Sequence, residues 1–376
     1  MRTAELFEPL PLRRGPAMKN RFMLAPLTNQ QSAPDGRATD DDVEWMKRVA
    51  RGGYALVQTC ATTVEAGGRA FRGQLGIHDD DLAPELSRMA DAIRAGGALS
   101  AVQIHHAGHR ARPELGGVPA PASEGNAPGY AALNLDEVER IRDSFVHAAR
   151  RAERAGFDGV AVHGAFGWIL SEFLSPLLNR RTDRYGGSLE NRARLIFEVI
   201  DGIRAACRPD FQIGLRLSVE RYGLRFEELV DVAAEVMHQQ KIDYFDLALW
   251  DSRQAAPEGS YRDRSMLSAF TGLPRHGVRL GVAGKIRDVA RCAELLQEGC
   301  DFVLIARAAI LCPDFPLRAR ANPAYVSPTL PVSAAHLREM GLSLPFIDYM
   351  RTAWDGFVAR EDAEHCPTKT DDQPRI

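Results

Sequence analysis

The chain has 376 residues, a length that suits two or three ordinary domains or one α/β barrel of roughly 250–400 residues. Hydrophobic residues make up 45% and charged residues 26%, which excludes a disordered or fibrous chain and leaves ample apolar material for a large core. The net charge is −3, from 47 basic and 50 acidic side chains without a long run of either sign, so dedicated binding to nucleic acid or an anionic membrane is not expected.

Taken in chain order, short apolar strands alternate with stretches of helical period. Strand Phe22–Ala25 precedes helix Asp40–Gly52, strand Ala55–Thr59 precedes helix Ala83–Gly96, and strand Ala98–Ile104 precedes helix Leu135–Gly156. Strand Gly159–His163 leads to helix Asn191–Cys207, and strand Gln212–Leu217 to helix Phe226–Gln240. Strands Tyr244–Leu249 and Leu280–Ala283, helix Ile286–Glu298 and strand Phe302–Ile305 complete the series. Several helices end at a glycine suited to a C-cap, as in RAGG at 94–97, RAGF at 154–157 and QEGC at 297–300.

Near-continuous apolar strands joined by helical crossovers predict a parallel sheet covered by helices. Eight of them fit an α/β fold of the single (β/α)8 TIM-barrel type, and the GxGxxG fingerprint of an open dinucleotide-binding sheet is absent. The barrel is expected over residues 1–320. Residues 321–376 open on Asn322-Pro323, Pro328 and Pro331 and continue as an amphipathic run, His336–Phe357. This C-terminal extension is expected to pack on the barrel or on a neighbouring subunit of a homo-oligomer. The six cysteines (Cys60, Cys207, Cys292, Cys300, Cys312, Cys366) form no CxxC pair, so they read as reduced thiols rather than a disulfide, zinc or iron–sulfur framework. The N-terminus MRTAELFEPLPLRRG lacks the apolar stretch of a signal peptide, and Phe302–Cys312 is too short to span a bilayer, so a cytoplasmic protein without a membrane partner is expected.

In such barrels the reactive groups stand at the C-terminal ends of strands and in the loops that follow. Those positions hold Ala25-Pro26-Leu27-Thr28, then Gln103 and His105-His106-Ala107-Gly108-His109-Arg110, then His163-Gly164-Ala165-Phe166-Gly167-Trp168. Arg216 lies in the fifth strand, Ala283-Gly284-Lys285 end the seventh and Ala306-Arg307 the eighth. The last two sets have two readings: a barrel phosphate site, or a turn plus a surface arginine. Arg216 likewise reads as a structural ion pair or as a cation facing a cofactor ring. His105 and His106 are adjacent and point to opposite faces, so no metal is expected there.

These residues resemble the old yellow enzyme family of FMN-dependent oxidoreductases over nearly all of residues 5–320. The resemblance rests on Lys19-Asn20-Arg21-Phe22, Ala25-Pro26-Leu27-Thr28, Leu75-Gly76-Ile77, Gln103 with His106-Ala107-Gly108, and above all HGAFGWILSEFLSPLLNRRTDRYGGSLENRARL from His163 to Leu195. It implies non-covalent FMN, with NADH or NADPH as a transient reductant and a small-molecule substrate. Ala25, Pro26, Leu27 and Thr28 would line the flavin, with Ala61 beside it and the Thr28 hydroxyl near the ring's C4 carbonyl as a catalytic group. Gln103 and Arg216 would contact its ring, Gly284, Ala306 and Arg307 would hold its phosphate, and Ala283 would be a further cofactor-binding residue. His109 stands where the family commonly has arginine, and Ala306 where it has glycine.

The resemblance further implies reduction of an activated alkene in two half-reactions. His163 would hold the substrate carbonyl; the second donor falls on Phe166 and the proton-donating tyrosine on Trp168. Phenylalanine donates no hydrogen bond, and indole is too weak an acid to protonate a substrate at neutral pH. The aromatic pair would instead form an apolar slot for a flat substrate, or simply fill space while solvent supplies the proton. The preferred expectation is an alkene reductase with non-standard protonation. The alternatives are an FMN-dependent dehydrogenase or demethylase of an amine or other substrate, and a catalytically weak flavin-binding protein.

Overall fold

The computed structural model describes residues 3–257 and 259–360. Eight parallel strands close into a barrel in sequence order: β1 (Phe22–Leu24), β2 (Leu56–Thr63), β3 (Leu99–His105), β4 (Gly159–Gly164), β5 (Gln212–Leu217), β6 (Tyr244–Ala248), β7 (Arg279–Ala283) and β8 (Phe302–Ile305). Phe22 pairs with Val303 to close the ring. The crossovers carry α1 (Asp40–Arg51), α2 (Ala83–Ala95), α3 (Leu135–Arg154), α4 (Ile169–Leu174), α5 (Leu189–Ala206), α6 (Phe226–Gln239), α7 (Met266–Thr271) and α8 (Val289–Gln297). After β8 come α9 (Arg307–Leu311), α10 (Phe315–Ala321), α11 (Ala334–Glu339) and α12 (Leu344–Ala353).

Strand β2 runs beyond its expected end because its register shifts between Gln58 and Ala61, a bulge that no apolar alternation announces. Helix α8 starts at Val289, later than expected, because the Asp288 side chain caps it by accepting the Arg291 N–H. The short helices α4 and α7 were not expected. The three expected glycine stops adopt left-handed backbone just past α2, α3 and α8, with φ 77° at Gly97, 91° at Gly156 and 102° at Gly299.

Inside the barrel small and large residues interlock. A Cβ on Gly214 would meet the Tyr244 ring at 2.1 Å, and one on Gly281 would meet the Phe302 ring at 2.1 Å. Those two rings meet edge to face, 6.1 Å apart. Leu10, Leu12 and Met18, on the N-terminal segment joined by the Leu10–Met18 bridge, cover this end of the barrel. The opposite end is left for chemistry.

Helix α12 lies against the barrel. Phe346 packs edge-on to Trp45 of α1 at 5.4 Å, and the Ser343 hydroxyl donates to Gln31 Oε1 at 2.8 Å. Cys60, Cys207, Cys292, Cys300 and Cys312 are free thiols; Cys366 lies outside the described residues. No helix among the described residues is long and apolar enough to cross a membrane.

Candidate active site

A cleft of about 650 Å³ opens at the C-terminal ends of the strands. Its walls gather Pro26, Leu27, Thr28, Ala61, Gln103, His163, Phe166, Trp168, Arg216, Ala283, Gly284, Ala306 and Arg307. Ala25 does not reach it: this residue is fully buried at the end of β1, where its N–H donates to Ile305 O at 3.0 Å. Strand β1 alternates, so its last inward side chain packs below the cleft and the next residues line it. The loop 126–133 does not line the cleft; Asn126 holds it by bonds to Glu172 Oε1 at 2.7 Å and Leu178 O at 2.8 Å.

Alternation along β3 puts Gln103 and His105 on the inner face and turns His106 outward, where it lies 3.5 Å from Glu65. The Gln103 amide nitrogen is buried on the cleft wall without a protein partner. Such a donor is costly unless a ligand accepts from it. Arg216 on β5 forms a buried ion pair with Asp246 of β6, which fixes the guanidinium while leaving it on the cleft wall. The structural ion pair is therefore present, and it offsets the guanidinium's desolvation. At the far end, a smaller cavity of about 260 Å³ shares Gly284, Lys285, Ala306 and Arg307 with the cleft. Backbone groups and a guanidinium at this end suit a phosphate tail, and the orphaned amide at the other suits a polar ring.

The β4–α4 turn is strained. Phe166 has φ 61° and Gly167 φ 74°. The Phe166 N–H donates to Ser218 Oγ at 2.8 Å, and Arg110 Nη1 donates to its carbonyl at 2.7 Å. These bonds offset the cost of left-handed backbone at a bulky residue. Gly167 has no space for a Cβ, which would sit 2.4 Å from the Tyr222 ring.

His163 stands in an aromatic nest, its ring 5.3 Å from His105 and 6.0 Å from Phe166, and His105 meets Trp168 edge-on at 4.8 Å. Burial, aided by the Arg216 charge, pushes the His163 imidazole down to about 3. Burial likewise holds His105 well below the ordinary imidazole value, with the His163, His106 and Arg110 charges adding to the effect. At neutral pH both rings are uncharged, so His163 offers one N–H rather than a cation.

The cleft also takes in Lys285 of the Ala283-Gly284-Lys285 turn, and it recruits residues that sequence reasoning did not single out: Phe71, Tyr222, Trp250, and Tyr349 and Trp354 from the C-terminal segment. Tyr222 lies in the loop after β5, where the rule applied to the other strands would have found it. Tyr349 is contributed from beyond β8, and nothing local in the sequence marks it. Burial raises its phenol, with the neighbouring Thr28 and Trp354 side chains opposing.

A sequence model of the NADH:flavin oxidoreductase / NADH oxidase family matches residues 5–324. The chain belongs to this family, the old yellow enzymes. It is 32% identical over 329 residues to the probable NADH-dependent flavin oxidoreductase YqiG of Bacillus subtilis (strain 168), covering 84% of this chain and 87% of that one. It is 33% identical over 313 residues to the NADPH dehydrogenase of Halalkalibacterium halodurans, covering 81% and 91%. Morphinone reductase in complex with tetrahydroNAD superposes with a TM-score of 0.74 at 28% identity, over 92% of this chain and 96% of that one. This old yellow enzyme homologue is thus an NAD(P)H-dependent flavin oxidoreductase.

Proposed function

We propose that the enzyme binds FMN non-covalently in this cleft and transfers hydride from NADH or NADPH to an activated, enone-like alkene, the two partners visiting the same space in turn. Bound FMN supplies the centre that accepts and returns hydride. Gln103 and Arg216 would hold its ring, with Pro26, Leu27, Thr28 and Ala61 around it. Gly284, Ala306 and Arg307 would hold its phosphate, with Ala283 beside them.

The remaining chemistry belongs to side chains. Neutral His163 donates a hydrogen bond to the substrate's carbonyl oxygen, where negative charge grows as hydride arrives. Phe166 adds no second donor, and the Trp168 N–H is not an acid. Two phenols, Tyr222 and Tyr349, line the same cleft, so the proton comes from one of them or from water that enters the cleft.

The observation that carries this proposal is the meeting of an orphaned amide donor, a fixed guanidinium and a neutral histidine in one cleft. Oxidation of an amine finds less support. Four cations line the cleft and no carboxylate does among the described residues, a poor setting for a cationic substrate. Anaerobic mixing of the holoenzyme with NADH and with NADPH tests the proposal. At least one should bleach the flavin absorbance, and 2-cyclohexenone should then restore it. Failure of both nucleotides to bleach, or of the enone to restore colour, would overturn it.

A further inference from the structure

One cation of the cleft is neither paired with an acid nor assigned to the cofactor, and the fold uses only one of its donors. Of the four that line it, Arg216 is paired with Asp246, and Lys285 with Asp251 at 3.2 Å. Arg307 lies at the end suited to phosphate. Arg110 lies at the Trp168 side and makes no ion pair among the described residues. Its guanidinium carbon sits 3.9 Å from the Trp168 ring centroid and 5.8 Å from that of Tyr222. One nitrogen donates to the Phe166 carbonyl, which the strained turn aims at it.

The neighbouring acid is not available to neutralise this charge. Glu172 is fully buried and accepts the N–H groups of His109 at 3.3 Å and Ala122 at 2.8 Å and the Asn126 amide at 2.7 Å. His109 Nδ1 lies 2.8 Å from the same carboxylate. His109 thus serves the buried acid and Arg110 is left to the cleft. A guanidinium has five N–H donors, and a single protein acceptor engages this one. Stacking on Trp168 holds its plane, the arrangement that favours two-pronged binding of a carboxylate.

We infer that Arg110 anchors an anionic group on the substrate, so that the preferred acceptor is a flat unsaturated carbonyl compound bearing a separate carboxylate. His163 takes the carbonyl, the Phe166, Trp168 and Tyr222 rings cover the apolar body, and Arg110 takes the carboxylate. This deepens the proposed alkene reduction and rests on it for the carbonyl's place. A phosphate of NADH or NADPH offers the same guanidinium a similar anion, and the test separates the two sources.

The test is calorimetric binding to the oxidised holoenzyme, with no reductant and no turnover. The probes are 4-carboxycinnamaldehyde, the same aldehyde bearing a neutral 4-carboxamide, and ADP. The wild type should bind the carboxylate about tenfold or more tighter than the amide. Arg110→Met should weaken the carboxylate roughly 10–100-fold, as expected for lost charge-assisted hydrogen bonds, and bring the two aldehydes close to parity. Equal wild-type affinities would overturn the inference without any variant. So would an Arg110→Met protein that keeps the carboxylate preference, or one that loses affinity for ADP alone. Should Arg110→Met not fold, Arg110→Lys must still reduce the preference, because a point charge does not replace the fork. Carboxylate preference in a holoenzyme that reduces no alkene would leave the anchor standing and remove the alkene chemistry instead.

Discussion

His163 brings one N–H and no charge into the cleft, and its neighbourhood explains both. Burial among His105, Phe166 and Arg216 keeps the ring neutral down to about pH 3. Binding of a neutral carbonyl ligand should therefore show no loss attributable to His163 between pH 8 and pH 5, which a titration series checks. His163→Ala should slow alkene reduction about 10²–10³-fold, the usual cost of one oxyanion donor, with flavin content unchanged. A variant slowed less than threefold would deny His163 that part. His105 bears on stability instead: it is fully buried and neither ring nitrogen has a protein partner. Its folded-state value lies below that of the unfolded chain, so the unfolded state binds more protons in acid. The stability at stake is complete above about pH 6.5 and drains as pH falls below that. His105→Phe should flatten this loss in urea melts at pH 7 and pH 5; an unchanged difference would contradict it. At this level the sequence showed which strand ends matter, since an alternating strand has few inward positions. It did not show that Arg110 stacks on Trp168, because that contact joins the ends of two different strands.

The strands were legible because both their faces are buried, which makes FVLI of β8 and GVAV of β4 stand out as continuous runs. The bulge in β2 and the six-residue α7 were not, since neither has a period long enough to read. Packing between strands is equally hidden in a linear pattern. Gly281→Ala should cost about 1–3 kcal/mol in denaturant unfolding, because its Cβ would press into the Phe302 ring held by the next strand. An unchanged midpoint would show that the barrel interior yields more easily. The loops after β7 and β8 make a separable prediction. Arg307→Ala should weaken FMN binding about tenfold or more while leaving riboflavin, which lacks the phosphate, within twofold. Equal losses for both flavins would place the phosphate elsewhere.

The barrel and its C-terminal segment together build the space in which chemistry happens. Strands β3 to β5 bring Gln103, His163 and Arg216 to one wall, the β7 and β8 loops bring Gly284 and Arg307 to one end, and the C-terminal segment adds Tyr349 and Trp354. The order of strands and motifs was enough to foresee the first two contributions. The third depended on how α12 lies on α1, a tertiary contact between Phe346 and Trp45 that no local pattern encodes. Because reductant and alkene are both assigned to the space above His163, they exclude each other. Initial rates measured over a grid of nicotinamide and enone concentrations decide the matter. A single shared cleft predicts parallel double-reciprocal lines, with each substrate competing against the other at high concentration. Intersecting lines, the mark of both substrates bound at once, would contradict it.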